Sequence, residues 1–180
     1  EMCIRDRNDL VLKAAGNIVT ASSKTFQTNN GDIVFWSNSD KAAGVAGNGG
    51  RIEIGTSNTI SSQGGGIYLG GGRDDGGSDS GIPSMNGWSS MAAGDGFPDG
   101  YANGQNVANG VTGIWLSSGY SISSAGGDVF MAASDATVNP NNGTSAMLIA
   151  VSGTIDSGTG RIGVWGKAFQ CSAGFGNSGL

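Results

Sequence analysis

Three aspartates, Asp40, Asp74 and Asp135, recur six or seven residues after the start of three similar apolar segments. If those segments stack, the carboxylates come close together, and two carboxylates about 5–10 Å apart can hydrolyse glycosides. Aspartate at a repeated turn also has a structural use, because its side chain accepts hydrogen bonds from nearby backbone amides. The chain has no His, so it offers no imidazole base or ligand. We predict no catalytic residue, no enzyme activity and no cofactor site.

A second acidic group lies in the segment 72–111, which carries five aspartates against one arginine. Calcium binds several oxygen ligands at once, so Asp74, Asp75 and Asp79 are candidate Ca²⁺ ligands. The stretch Arg73-Asp-Asp-Gly-Gly-Ser-Asp-Ser matches neither the EF-hand loop nor the calcium-binding nonapeptide. The other interpretation is that these aspartates are solubilising turn residues, and we predict no resident metal.

Three aromatic residues, Tyr68, Trp115 and Phe130, alternate with buried apolar positions and therefore face outward from predicted strands. Exposed apolar patches mark sites for protein or glycan partners, so these residues are a candidate binding surface. Alternatively, the segment 72–111 folds back and covers them. That segment contains the aromatic residues Trp88, Phe97 and Tyr101.

The composition limits which elements can position these residues. Gly supplies 35 of 180 residues, while 13% of the chain is charged and 7% is aromatic. There is no collagen period, and short alternating runs such as Ile52-Glu-Ile54 and Ile67-Tyr-Leu69 can bury surface, unlike a disordered chain. The net charge of −5 gives no electrostatic attraction to nucleic acid or an anionic membrane. No apolar run reaches the ~18 residues of a membrane helix.

An internal repeat predicts the fold. Four segments, 25–35, 59–69, 121–131 and 154–164, align without gaps on [S/T]-Φ-x-[S/T]-x-x-G-x-Φ-x-Φ, where Φ is apolar. A further apolar pair precedes each segment, so the unit holds three short strands and two turns. The glycine at a fixed offset is expected at a corner where φ is positive.

One such unit cannot bury its own apolar side chains, but stacked copies bury a continuous column. No segment has helical periodicity. We therefore predict an all-β fold: a right-handed single-stranded parallel β-helix, or solenoid, of about five coils. Ile33, Ile67, Val129 and Ile162 should then lie one above another.

The spacing of the repeats predicts where the loops emerge. Leu10 and Ile33 are 23 residues apart, and the later steps are 34, 62 and 33 residues. The excess falls at about 37–50, 72–111 and 134–145, always between one unit and the next. We expect these insertions at one corner, the arrangement by which repeat proteins display binding loops.

The domain organisation follows from the same repeats. Residues 1–7, EMCIRDR, resemble translated sequencing-adapter read-through, and we expect them to be non-native. Residues 8–180 are then one β-helix fragment that begins within a repeat, and we expect flanking repeats of the same chain to continue it.

The strand-turn repeats resemble those of the filamentous-haemagglutinin-like bacterial exoproteins, over about Leu10 to Trp165. The similarity is carried by segments such as Gly50-Arg-Ile-Glu-Ile-Gly and Ala125-Gly-Gly-Asp-Val-Phe-Met-Ala. It implies a secreted adhesin at the bacterial cell surface, exported by two-partner secretion or as an autotransporter passenger. The implied partners are host, cell-surface or matrix molecules, including glycans, with no nucleic acid and no membrane insertion.

Two other functions remain open on the sequence. One is a β-helix polysaccharide lyase or glycoside hydrolase, although the outward strand positions are mostly uncharged and Glu53 is nearly alone there. The other is a pure spacer within a longer adhesin, whose binding site lies elsewhere.

Overall fold

The computed structural model describes residues 8–40, 50–76, 94, 96–104, 112–135 and 146–167. These residues form an all-β structure of fourteen strands without a helix. The strands are β1 (Leu10–Lys13), β2 (Ile18–Val19), β3 (Thr25–Gln27), β4 (Ile33–Ser37), β5 (Ile52–Ile54), β6 (Thr59–Ser61), β7 (Ile67–Gly71), β8 (Ala102–Asn103), β9 (Ile114–Leu116), β10 (Ser121–Ser123), β11 (Val129–Ser134), β12 (Met147–Ile149), β13 (Thr154–Asp156) and β14 (Ile162–Lys167). Within these ranges no helix is long and apolar enough to cross a membrane.

The strands form three sheets, and every paired strand runs parallel to its neighbour. Sheet 1 has the order β1-β4-β7-β11-β14, sheet 2 the order β2-β5-β9-β12, and sheet 3 the order β3-β6-β10-β13. Each strand triplet (β2–β4, β5–β7, β9–β11 and β12–β14) therefore adds one strand to every sheet. Ile33, Ile67, Val129 and Ile162 are successive register partners in sheet 1, which confirms the predicted alignment.

The core is built from alternate residues of all three sheets. Ile67 and Leu69 of sheet 1, Ile54 of sheet 2 and Ile60 and Ile122 of sheet 3 are fully buried and belong to one apolar cluster. Successive side chains of a strand point to opposite faces, so the Φ-x-Φ pairs of the sequence place their apolar groups on the same inner side.

A column of buried hydroxyls explains the second Ser or Thr of the repeat. Each hydroxyl donates a hydrogen bond to the carbonyl oxygen of the motif glycine three residues later. The pairs are Thr28–Gly31, Ser62–Gly65, Ser124–Gly127 and Ser157–Gly160. A buried carbonyl without a partner would destabilise the fold, so this hydroxyl satisfies the turn between sheets 3 and 1.

The motif glycine has a different role from the one predicted. Positive φ occurs before it, at Gln63 (53°) and Gly64 (120°) in one repeat, and Gly65 itself has no positive φ. A Cβ on Gly65 would instead lie 2.1 Å from the carbonyl oxygen of Gly31, and one on Gly127 would lie 2.0 Å from that of Gly65. The expectation of a left-handed corner at this position was wrong: glycine is needed because stacked backbones approach closely.

The three long connections all run from sheet 1 to sheet 2, after β4, β7 and β11. The segment 72–111 was predicted as one insertion loop, but it contains a further strand of sheet 1. This strand, β8, pairs with Ala133 and Ser134 of β11. Strand β11 is longer than its pairing with β7, which ends at Leu69 and Met131. β8 supplies the missing backbone partners beyond that point.

Candidate functional site

The three aspartates considered for catalysis have different environments. The Asp74 carboxylate accepts hydrogen bonds from the amides of Gly94 and Gly96, and so ties the connection after β7 back to its own start. Asp135 is fully buried, whereas Asp40 is exposed. Asp74 thus has the structural turn role that aspartate commonly takes.

The candidate calcium ligands are only partly within the described residues. Asp75 is exposed and Asp74 is half-buried, while Asp79 lies outside the described residues. Among the residues that the structure describes, no group of three or more His, Cys, Asp or Glu side chains could hold a metal ion.

The candidate aromatic surface is divided between two sheets. Tyr68 and Phe130 are register partners in sheet 1. Trp115 lies in sheet 2, between Glu53 and Leu148. The three side chains therefore do not form one surface.

Aromatic residues from the connection after β7 lie against the outer face of sheet 1. Tyr101, 2% exposed, forms a cluster with Phe130 and Ala132, and Tyr68 and Trp165 pack against it. Phe130 is 4% exposed, and its ring centroid lies 5.1 Å from that of Trp165. Phe130 is therefore part of this packed layer, whereas Tyr68 lies at its edge. Trp88, expected in the same layer, lies outside the described residues.

Tyr68 is at the edge of an open pocket of about 390 Å³ beside the turn that enters sheet 1. The rings of Tyr68 and Phe97 form one wall, with their centroids 4.7 Å apart. The other lining residues are Asp32, Asp128 and the glycines at 64, 66, 126 and 127. Two aromatic rings and two acidic residues therefore line one open, mostly polar depression.

The two carboxylates occupy the same repeat position, immediately before strands β4 and β11, with Gly66 at that position between them. Two strand spacings of about 4.8 Å separate their backbones. The absence of a side chain at Gly66 makes room for Tyr68, since a Cβ there would lie 2.6 Å from the Tyr68 hydroxyl oxygen. The pocket therefore depends on a break in a column of side chains.

Each aspartate of this column also supports the next repeat. Asp32 Oδ1 accepts a hydrogen bond from the Gly66 amide at 2.7 Å, and Asp128 Oδ1 accepts one from the Arg161 amide at 2.7 Å. Arg161 also donates from its guanidinium to Asp128 Oδ2 at 2.6 Å. Asp32 and Asp128 thus each fix a backbone amide of the following repeat while they line the pocket.

The Arg161 side chain lowers the pKa of Asp128, chiefly through its hydrogen bond, while partial burial acts in the opposite direction. Asp128 therefore stays ionised in the fold at lower pH than in the unfolded chain. The pocket keeps a negative charge at neutral pH, with a guanidinium beside it.

This pair predicts a small, pH-dependent stability effect. The native pKa of Asp128 is lower than the unfolded value of about 3.9, so the contribution is present above about pH 4 and is lost as pH falls through the native pKa. Arg161→Gln should lower the free energy of unfolding only slightly at neutral pH, because the pair is partly exposed and solvent screens it. Urea titrations at neutral pH and near pH 2 should show the difference shrinking in acid.

Arg73→Gln is the matched control. Arg73 Nε donates to a backbone carbonyl oxygen, that of Asp40, and a carbonyl does not titrate. Its effect should be the same at both pH values. An Arg161→Gln effect that is equally large in acid would contradict the assignment of the pair to Asp128.

The sequence contained a signal for this pocket. Asp32, Asp128 and Arg161 all occupy the variable position between the motif glycine and the following apolar residue. Tyr68 was identified from the sequence, but Phe97 was assigned only a covering role, because its approach to Tyr68 depends on the path of a long connection.

No protein-family model matches the chain, and neither the curated proteins nor the solved structures compared with it include a match.

Proposed function

We propose that the chain is a segment of a right-handed single-stranded parallel β-helix of about five coils. The observation that carries this proposal is the pairing of equivalent residues in every strand triplet, in three sheets at once. A β-helix accounts for it because each coil adds one strand to each face and buries its apolar side against the next.

We further propose that this segment is a structural and adhesive part of a secreted bacterial surface protein, related to the filamentous-haemagglutinin-like exoproteins, and that it has no catalytic role. The repeated backbone ladders would give a rigid, protease-resistant support. The three connections between sheets 1 and 2 would give a variable surface, as insertions in repeat proteins do. Its partners would be host, cell-surface or matrix molecules.

The pocket beside Tyr68 is the site that we assign to adhesion, and its chemistry suits a glycan. The faces of Tyr68 and Phe97 can pack against the apolar C–H face of a sugar ring. The carboxylates of Asp32 and Asp128 accept hydrogen bonds from hydroxyl groups. The glycine backbone around them allows a ring to approach closely.

Binding of the purified chain to an array of neutral and acidic glycans tests this assignment. Tyr68→Ala should weaken binding about tenfold, the equivalent of about 1.4 kcal/mol for one aromatic contact. Gly66→Ala should do the same by displacing the Tyr68 ring, and the backbone should accept it because Asp32 and Asp128 occupy equivalent positions. Trp115→Ala, an aromatic change in sheet 2, is the control and should bind as the wild type does.

One result would count against the adhesive role and another against the pocket as its site. If no glycan, cell surface or matrix protein binds, the chain is better explained as a spacer within a longer adhesin. If Trp115→Ala and Tyr68→Ala weaken binding equally, the ligand does not use the pocket.

One observation favours a second candidate, a β-helix polysaccharide lyase or glycoside hydrolase. Asp32, Asp128 and Tyr68 line one open pocket, with Arg161 bonded to Asp128 beside it. Acidic and basic groups that converge with a perturbed pKa are also typical of active sites. Incubation with acidic polysaccharides decides between the two: cleavage that disappears in Asp32→Asn and Asp128→Asn would overturn the non-catalytic proposal.

A further inference from the structure

The charges around the pocket beside Tyr68 do not cancel. Asp128 is paired with Arg161, whose guanidinium lies 2.6 Å from Asp128 Oδ2. Asp32 also lines the pocket, but it accepts its hydrogen bond from a neutral group, the Gly66 amide. Among the residues that the structure describes, no Lys or Arg forms an ion pair with Asp32. Two carboxylates and one guanidinium therefore leave one negative charge in excess at this pocket.

The Tyr68 ring lies over Gly66, between the levels of the two aspartates. Gly66 occupies the repeat position shared by Asp32 and Asp128, one strand away from each. A Cβ on Gly66 would lie 2.5 Å from Tyr68 Cε2 and 2.6 Å from the Tyr68 hydroxyl oxygen. The Phe97 ring adds a second aromatic surface, inclined at 58° to the Tyr68 ring. Aromatic surface therefore lies beside both acidic positions, each about one strand spacing of 4.8 Å away along the stack.

Aromatic rings and carboxylates attract the same kind of ligand group. The face of an aromatic ring carries partial negative charge and attracts a cation within about 6 Å of its centre. A carboxylate accepts a strong, charge-assisted hydrogen bond from an ammonium group. A ligand carboxylate or sulfate would instead meet like charge, which disfavours binding. The lining of the pocket therefore favours a cationic group over a neutral one, and a neutral group over an anionic one.

We propose that the pocket selects glycans that carry a free, protonated amine over their N-acetylated and acidic counterparts. This inference rests on the glycan-binding role proposed above and names the class of sugar. The sugar ring packs against Tyr68 and Phe97, and the ammonium group lies on the side of Asp32. Asp32 is the specificity-determining residue, because Arg161 already compensates the charge of Asp128.

Isothermal titration calorimetry of the full chain tests the selectivity with three oligosaccharides of equal length. One consists of glucosamine, one of N-acetylglucosamine and one of glucuronic acid. The glucosamine oligomer should bind at least about tenfold more tightly than the N-acetylated one, since acetylation removes the charge but keeps the ring. The glucuronic acid oligomer should bind most weakly.

Asp32→Asn removes the negative charge and keeps a side-chain oxygen that can accept the hydrogen bond from the Gly66 amide. It should weaken binding of the glucosamine oligomer about tenfold and leave binding of the N-acetylated oligomer unchanged. Asp156→Asn is the matched control, because it removes one charge from an exposed aspartate in β13 that also accepts a backbone amide, that of Gly158. It should bind all three oligomers as the wild type does.

Arg161→Gln removes the cation beside Asp128 and should strengthen binding of the glucosamine oligomer, a gain that misfolding cannot imitate. Equal affinity for the glucosamine and N-acetylglucosamine oligomers would overturn the selectivity, as would equal losses in Asp32→Asn and Asp156→Asn. If other glycans still bind in a manner that depends on Tyr68, the adhesive role of the pocket stands while its preference for amines falls. If no glycan binds in that manner, both proposals fail together.

Discussion

Gly127→Ala is expected to lower the free energy of unfolding by at least about 3 kcal/mol, the upper part of the range for overpacked sites. The added Cβ would lie 2.0 Å from the carbonyl oxygen of Gly65 and 2.4 Å from its carbonyl carbon. Both atoms belong to backbone that is held in the parallel ladder, so neither can move aside as a flexible side chain would. The stacked strands would have to separate at this turn, and the ladder on either side would weaken.

Gly16→Ala is the matched control, because a Cβ at Gly16 would have no atom within 4 Å and Gly16 has no positive φ. Alanine there should be neutral or stabilise by under about 1 kcal/mol, by restricting the unfolded chain. Urea denaturation of the three proteins measures both effects. Equal stability of Gly127→Ala and the wild type would contradict close backbone stacking at the motif glycines.

Ile67→Ala is expected to lower the free energy of unfolding by about 2–5 kcal/mol, the range for truncation of a buried aliphatic side chain. Ile67 is fully buried and lies in β7 between Ile33 and Val129 of the neighbouring strands. The strands above and below are fixed by their own hydrogen bonds, so the structure around the lost atoms cannot collapse easily. A cavity should therefore remain in the core.

Val151→Ala provides the comparison, since Val151 is fully exposed and its truncation should change stability by under about 0.5 kcal/mol. Thermal and urea unfolding followed by circular dichroism would report both variants. If Ile67→Ala were as stable as Val151→Ala, the inward column of aliphatic residues would not be the source of stability.

Gly127 and Ile67 occupy positions that recur in every repeat, and such positions were the ones that could be predicted from the sequence. The alternation of Φ-x-Φ assigns side chains to one face, because the side-chain period of a strand is two. The fixed offset between strands then aligned Ile33 with Ile67, and the structure confirms that register. Repeated local patterns predicted the strands well because each repeat has the same neighbours above and below it.

The reason for the motif glycine could not be read from a single repeat. Its role depends on how closely the carbonyl of the preceding repeat approaches, a distance between Gly31 and Gly65 that lie 34 positions apart. Sequence patterns record that glycine is required there, but positive φ and close approach both require it. The backbone geometry separates the two causes.

The candidate pocket also combines residues that the repeat places with residues that it does not. Asp32, Gly66, Tyr68 and Asp128 have fixed places in the repeat, so their order along the stack follows from the sequence. Phe97 and β8 belong to a connection without repeat spacing, and their return to sheet 1 had no periodic signal. Sequence alone therefore determined the strands of the repeats, their register and the sheets that the long connections join, because these follow from local periodicity. Only the tertiary structure decided which side chains close the pocket, because that depends on contacts between segments whose separation along the chain follows no rule.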